Sequence, residues 1–211
     1  GNDSKVDQVG FMNESDSDQT GIFNDSEVYQ DGVKNESDMD QEGGFNISLT
    51  DQDGYKNEAR TLQQGFSNDS WTKQLGEKNE SFVWEDGDDN KAIVDQEGNR
   101  NDSYVDQWGN HNDSYTEQKG DYNDAFTYQG YWGIGNKSEI WQFGDKNDSY
   151  VYQDGFMNEA QNEQIGEDNW SEIYQRGEFN YGGAGQYGED NWSIIDQKGL
   201  ENWALTFQNG S

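Results

Sequence analysis

The sequence contains neither cysteine nor proline, and acidic residues far outnumber its basic ones. Without cysteine the chain can form neither disulfide bonds nor thiolate metal sites. Without proline, no strand is interrupted by a residue that lacks an N–H donor. No hydrophobic run approaches the length of a membrane span. The net charge of −31 argues against nucleic-acid binding, which requires a basic surface.

High acidity combined with few aliphatic residues is typical of intrinsically disordered chains, and composition alone favours that class. However, the 8 Trp, 12 Tyr and 10 Phe residues are unusual for a solvated acidic tail. The sequence shows no signal peptide and begins at Gly1-Asn2, already inside the repeat described next. We therefore expect a mature or trimmed form of the protein.

An 11-residue repeat runs along the chain and argues against disorder. Asparagine opens each of 19 units, glutamine follows six residues later in all but one, and glycine lies two residues after the glutamine position in 18 of them. The glutamines are Gln8, Gln19, Gln30, Gln41, Gln52, Gln63, Gln74, Gln96, Gln107, Gln118, Gln129, Gln142, Gln153, Gln164, Gln175, Gln186, Gln197 and Gln208. The asparagines are Asn2, Asn13, Asn24, Asn35, Asn46, Asn57, Asn68, Asn79, Asn90, Asn101, Asn112, Asn123, Asn136, Asn147, Asn158, Asn169, Asn180, Asn191 and Asn202.

Each unit has the pattern N-x-S/A-x-V/T/I-x-Q-x-G-x-x, for example Asn101, Ser103, Val105, Gln107 and Gly109. A spacing of two places the first four of these residues on one face of a strand. Because they are uncharged and small or β-branched, we expect that face to be buried, and the variable acidic and aromatic residues to face solvent. The strand would run from Asn to Gln, and the four residues around the glycine would form a turn in which glycine adopts positive φ.

These features predict an all-β fold, a cross-β solenoid of amyloid type with about 9.5 coils built from 11-residue half-repeats. Two units would close one coil of 22 residues with two strands and two turns, and coils would stack about 4.8 Å apart. The prediction is a single repeat domain over residues 1–211. A two-residue insertion within residues 130–135 is interpreted as a lengthened turn.

Buried amides must have their hydrogen bonds satisfied, and identical amides stacked one coil apart can bond to each other. The strict recurrence of Asn and Gln therefore predicts structural ladders rather than a catalytic site. Glu85 is the one defect in the Gln ladder, between Gln63 and Gln107, and its burial without a cation predicts a raised pKa.

Aromatic side chains recur on the outward face at the same spacing and predict stacked columns. One column contains Phe82, Tyr104, Phe126 and Tyr150, and another contains Tyr128, Tyr152 and Tyr174. We hypothesise that these columns, besides covering the strand faces, bind neighbouring fibres or abiotic surfaces.

The spacing Q-x-G-x-x-N-x-S/A-x-x-x-Q resembles the repeat of the curlin family, as in Gln30-Asp31-Gly32-Val33-Lys34-Asn35-Glu36-Ser37 followed by Gln41. The resemblance extends over nearly the whole chain. It implies a major-subunit type of curlin that is secreted by a Gram-negative bacterium and assembles head-to-tail into extracellular amyloid fibres on the cell surface. Such curli fibres serve biofilm matrix, adhesion and surface attachment. The implied partners are further copies of the chain, a nucleator subunit and secretion chaperones.

Other classes of function are weighed against this one. No residue cluster breaks the repeat as a catalytic site would, so we expect no enzyme, no cofactor and no dedicated metal site, and His111, the sole histidine, falls in a turn. The alternative is a calcium-binding or surface-adhesion β-solenoid that is not amyloid. The nine-residue calcium-roll motif is absent, although exposed carboxylates could bind divalent cations weakly. An ice-binding threonine array is disfavoured because these threonines fall at inward positions: Thr50, Thr61, Thr72, Thr116 and Thr127.

Overall fold

The computed structural model describes residues 1–210, apart from the side chains of Tyr131 and Trp132. The predicted all-β solenoid is confirmed: the described residues form 19 strands and no helix. Ser211, which the predicted domain includes, lies outside the described residues. Because those residues contain no helix, they also contain no helical segment that could cross a membrane.

The strands follow one another at short intervals, and most are nine residues long. Their bounds are β1 Asp3–Phe11, β2 Glu14–Ile22, β3 Asp25–Val33, β4 Glu36–Gly44, β5 Ile47–Tyr55, β6 Glu58–Phe66, β7 Asp69–Glu77, β8 Glu80–Asp88, β9 Lys91–Asn99, β10 Asp102–Asn110, β11 Asp113–Asp121, β12 Asp124–Ile134, β13 Lys137–Asp145, β14 Asp148–Phe156, β15 Glu159–Glu167, β16 Trp170–Glu178, β17 Tyr181–Glu189, β18 Trp192–Leu200 and β19 Trp203–Asn209.

The strands form two parallel sheets, a ten-stranded sheet of the odd-numbered strands and a nine-stranded sheet of the even-numbered ones. Each strand pairs with the next strand of its own sheet in the register of the repeat. Gln8 lies opposite Gln30, which is 22 residues later. Across the insertion the step becomes 24, as between Gln118 and Gln142. We call one such coil a rung.

The strands are longer than the predicted seven residues, and the turns are correspondingly shorter. Asn13 lies between β1 and β2, just outside both, whereas Gly10 lies inside β1. Backbone contact between rungs explains the glycine: Gly54 has a φ of +126°, and a Cβ there would lie 2.0 Å from the carbonyl oxygen of Gly76. The residue before each asparagine makes the corner in the left-handed region, as Lys56 does at a φ of 56°.

The insertion also differs from the predicted lengthened turn. Strand β12 continues to Ile134, and its register against β10 shifts after Gln129, so that Gly133 lies opposite Gly109. The extra residues therefore form a bulge near the end of a strand. The following corner keeps the usual geometry, with Gly135 at a φ of +68°.

Inward and outward positions alternate along each strand, as burial of one face requires. In β3 the residues Ser26, Val28 and Gln30 are buried, whereas Glu27 and Tyr29 between them are partly exposed. The apolar part of the core is a thin stripe of Val, Ile, Thr and Ala side chains. The threonines assigned to inward positions are buried there.

Candidate functional site

The predicted glutamines lie in two columns inside the solenoid, one on each sheet. Gln30 donates from Nε2 to the Oε1 of Gln52 over 2.8 Å, and Gln52 donates in the same way to Gln74 over 2.8 Å. Each of these amides also reaches the opposite sheet, as Gln52 does with a 2.8 Å bond from Nε2 to the carbonyl oxygen of Glu36. The columns thus connect successive rungs and also connect the two sheets within the coil.

The predicted asparagines also form columns, but their hydrogen bonds run in the opposite direction. Asn79 donates from its backbone N–H to the Oδ1 of Asn57 over 3.1 Å, toward the preceding rung. Asn57 donates from Nδ2 to the carbonyl oxygen of Gly76 over 3.1 Å. The expected side-chain ladder is only part of the arrangement, because each asparagine also fixes the backbone of a corner. This role explains why asparagine, with its short side chain, recurs beside the turn.

Glu85 lies in the glutamine column of the even sheet, on β8, and is fully buried. Its Oε2 accepts a 2.8 Å hydrogen bond from the Nε2 of Gln63. Its Oε1 and the Oε1 of Gln107, one rung further, have no hydrogen-bond partner among the described residues. Burial raises the pKa of Glu85 to about 8, the hydrogen bond from Gln63 opposes the rise, and the charge of Asp69 adds to it.

The predicted aromatic columns lie on the outer face of the even sheet. The ring of Tyr104 stacks between Phe82 and Phe126, with centroid distances of 4.9 and 5.1 Å. Phe126 and Tyr150 are further apart, with a centroid distance of 6.4 Å across the insertion. In the second column Tyr152 lies 4.8 Å from Tyr128 and 5.7 Å from Tyr174, again between ring centroids. The residues singled out from the sequence are therefore brought together in both columns.

Carboxylates form a third column on the same sheet, beside the aromatic rings. Burial raises the pKa of Asp102, Asp124 and Asp148, and in each case a neighbouring carboxylate raises it further. Repulsion between like charges stacked on adjacent rungs is therefore built into the fold.

Asp106 was not singled out by sequence analysis, although it is only 8 % exposed on the nominally outward face. Burial raises its pKa to about 6, a hydrogen bond from Trp108 opposes the rise, and the charge of Asp86 adds to it. Its register neighbours are Trp84 and Tyr128, whose bulk covers the carboxylate. The sequence signal was an acidic residue between two aromatic ones at the repeat spacing.

Acidic residues are not gathered into a metal centre within residues 1–210: no group of three or more His, Asp or Glu there could hold an ion. His111 occupies a corner, as expected, with a φ of 57°. Its Nδ1 lies 3.7 Å from the Oδ2 of Asp89, one rung away.

Two parallel sheets joined by buried amide columns define a β-solenoid repeat protein with a structural interior. The family model described as "Curlin associated repeat" matches residues 87–120 and 166–199. The predicted resemblance is thereby confirmed, and the chain contains the curlin associated repeat. A search of curated proteins found no match to this chain.

Proposed function

We propose that this chain is a secreted structural subunit that assembles head-to-tail into extracellular, curli-type amyloid fibres, with a structural rather than catalytic role. Residues 1–211 would act as one repeat domain on the surface of a Gram-negative cell, contributing to biofilm matrix and adhesion. Export chaperones and a nucleator subunit belong to the proposal because the curlin repeat supports them, and weak binding of divalent cations follows from the acidic surface.

The observation that carries the proposal is the open core at the end rungs. Val6 on β1 is 48 % exposed, whereas Val28, the equivalent residue one rung further, is fully buried. Among the described residues, β1 pairs only with β3 and β19 only with β17. Unpaired strand edges above an exposed core recruit further strands.

A second copy can continue the solenoid in the existing register. Its β1 would stack on β18, and its β2 would stack on β19. Gln197 would then donate to Gln8 of the next copy, as Gln175 donates to Gln197 over 2.9 Å within the chain. A contact that joins different surfaces without closing a ring produces a filament.

A charge placed on the end face tests this contact. Val6→Lys puts an ammonium group into the proposed junction, and we expect short soluble oligomers in place of fibres. Val9→Lys is the matched control, because Val9 is 58 % exposed on the same strand at an outward position. Fibre growth of the Val6 variant at the rate of the control would contradict head-to-tail stacking.

Fibre diffraction and metal removal distinguish the proposed fibre from the calcium-dependent alternative. We expect a meridional reflection at about 4.7–4.8 Å and fibres that bind thioflavin T in the presence of EDTA. A soluble monomer that folds only with calcium would favour the alternative solenoid.

A further inference from the structure

The corner between each even strand and the following odd strand carries an exposed column of side chains, which we call the even-to-odd corner. Backbone hydrogen bonds hold its rungs together, for example from the N–H of Phe45 to the carbonyl of Ile22 over 3.0 Å. The first eight residues of the column, in order along the solenoid, are Phe23, Phe45, Ser67, Asp89, His111, Gly135, Met157 and Phe179.

The chemistry of this column reads the same from both ends. It begins with two apolar residues and ends with two, has a small residue inside each apolar pair, and has an acid and a base at its centre. The apolar side chains are not covered: Phe45 is 52 % exposed and Phe179 is 46 % exposed. Such apolar clusters are unusual on the surface of a chain with a net charge of −31.

The column of residues that opens the odd strands has the same symmetry. It contains Asp69, Lys91, Asp113 and Lys137 on four successive rungs. Reversing the column about the centre defined by Asp89 and His111 places Asp69 beside Lys137 and Lys91 beside Asp113. Both columns are therefore complementary to their own reversed copies, in charge as well as in apolar character.

We propose that two copies of this chain pack side by side and antiparallel through the even-to-odd corner, about a two-fold axis between the rungs of Asp89 and His111. In such an isologous contact each pair of residues occurs twice, so Asp89 of each copy faces His111 of the other. The rung spacing is identical in both partners, which brings every level of the corner into register. A parallel pairing in register would instead place Asp89 on Asp89 and Lys91 on Lys91.

Two levels of the corner match poorly and limit the strength of the contact. The two-fold axis places Ile22 near Glu178 and Ile47 near Glu159, and Lys137 already lies 2.7 Å from the Oε1 of Glu139 in its own chain. Eight rungs span roughly 38 Å at the usual strand spacing. A strip of that length is narrower than a standard interface, so the contact is weak for one pair of chains and gains strength along a fibre.

Cross-linking between two single-cysteine variants tests the orientation, because the chain has no cysteine of its own. Phe45→Cys protein is mixed with Met157→Cys protein and treated with a short bis-maleimide, and the joined peptides are identified by mass spectrometry. The antiparallel contact predicts mixed products that link position 45 to position 157. The two positions lie five rungs apart in one chain, roughly 24 Å, which excludes a link by end-to-end stacking.

Charge reversal tests the complementarity. Asp69→Lys should lower the yield of the mixed cross-link roughly fivefold, because the lost pair occurs twice in the contact. Adding Lys137→Asp should restore the yield, since the swapped charges again face each other. The control is Lys56→Asp at the other corner, which should leave the yield unchanged.

Repeating the cross-linking in the Val6→Lys background separates this inference from head-to-tail assembly. The 45–157 product should persist there, because the corner does not involve the end rungs. Products that join 45 to 45, or no mixed product in either background, would overturn the antiparallel contact. Normal fibre growth of the Val6 variant would overturn the end-to-end proposal alone.

Discussion

Glu85 accepts a 2.8 Å hydrogen bond from Gln63 at a position where every other unit of the repeat has glutamine. A glutamine there would also donate to Gln107 and to the carbonyl of Asp69, as Gln52 does to the equivalent Gln74 and Glu36. A carboxylate can make neither bond, and a protonated carboxyl group can make one. The column is therefore weakest at this rung.

We predict that Glu85→Gln stabilises the protein, on the order of 3 kcal/mol at pH 7. The folded-state pKa of Glu85, about 8, lies above its ordinary value of 4.5. Its contribution to stability is thus fully present below pH 4.5 and declines as the pH rises toward 8. Denaturant midpoints measured from pH 4 to pH 8 should show a growing gap between the variant and the natural protein. Glu58→Gln, at an exposed position of the same sheet, should show no such growth, and a constant gap for Glu85 would contradict its buried titration.

An intact glutamine column should be needed within the solenoid and much less at its end. Gln52→Leu removes three hydrogen bonds, to or from Gln30, Gln74 and Glu36, and leaves buried polar atoms without partners. We expect a loss of roughly 3 kcal/mol in the free energy of unfolding. Gln8→Leu, on the exposed edge strand, should cost less than a third of that. Equal losses at both positions would show that the column does not stabilise the fold cooperatively.

The turn glycines should resist even the smallest substitution. Gly54→Ala would place a Cβ 2.0 Å from a backbone oxygen of the next rung, so we expect loss of the β-sheet circular dichroism signal or of fibre formation. Gly44→Ala is the control, because its Cβ would meet only the movable ring of Phe66, at 2.9 Å. Normal folding of the Gly54 variant would show that the rungs can separate locally.

The outward aromatic columns should contribute both to stability and to bundling. Tyr104→Ser removes the stacking with Phe82 and Phe126 and should cost roughly 1–3 kcal/mol, whereas Tyr104→Phe should cost little. If the columns also bind neighbouring fibres, replacing all seven of their members by serine should reduce bundling in electron micrographs while fibres still form. Unchanged bundling would limit the role of the columns to the subunit itself.

Acid and salt should accelerate assembly. The pKa values of Asp102, Asp124 and Asp148 are raised in the folded chain, so their protonation on acidification favours the stacked state. Salt screens the same repulsion between carboxylates. Thioflavin T kinetics should therefore be faster at pH 5 than at pH 7.5, and faster at 150 mM than at 10 mM sodium chloride. Rates that depend on neither condition would contradict the proposed role of the acidic columns.

The period of the repeat was sufficient to predict the strands, the two-sheet coil and the inward set of side chains. The predicted seven-residue strands were too short, because Gly54 looks like a turn residue in sequence while its backbone still pairs with Gly76. The insertion was also misplaced in kind: its extra residues enter β12 as a bulge, since the corner that follows has a fixed geometry. Asp106 was missed because its burial depends on the neighbouring Trp84 and Tyr128, which lie on other strands.

The sequence by itself determined which residues stack, because a spacing of 22 residues fixes the partners of every rung. Only the tertiary structure decided the direction of each hydrogen-bonded column, the role of asparagine at the corners and the exposure of the even-to-odd corner. The physical reason is that periodicity specifies which residues are neighbours, whereas donor direction, backbone approach and burial depend on how the coil closes in three dimensions.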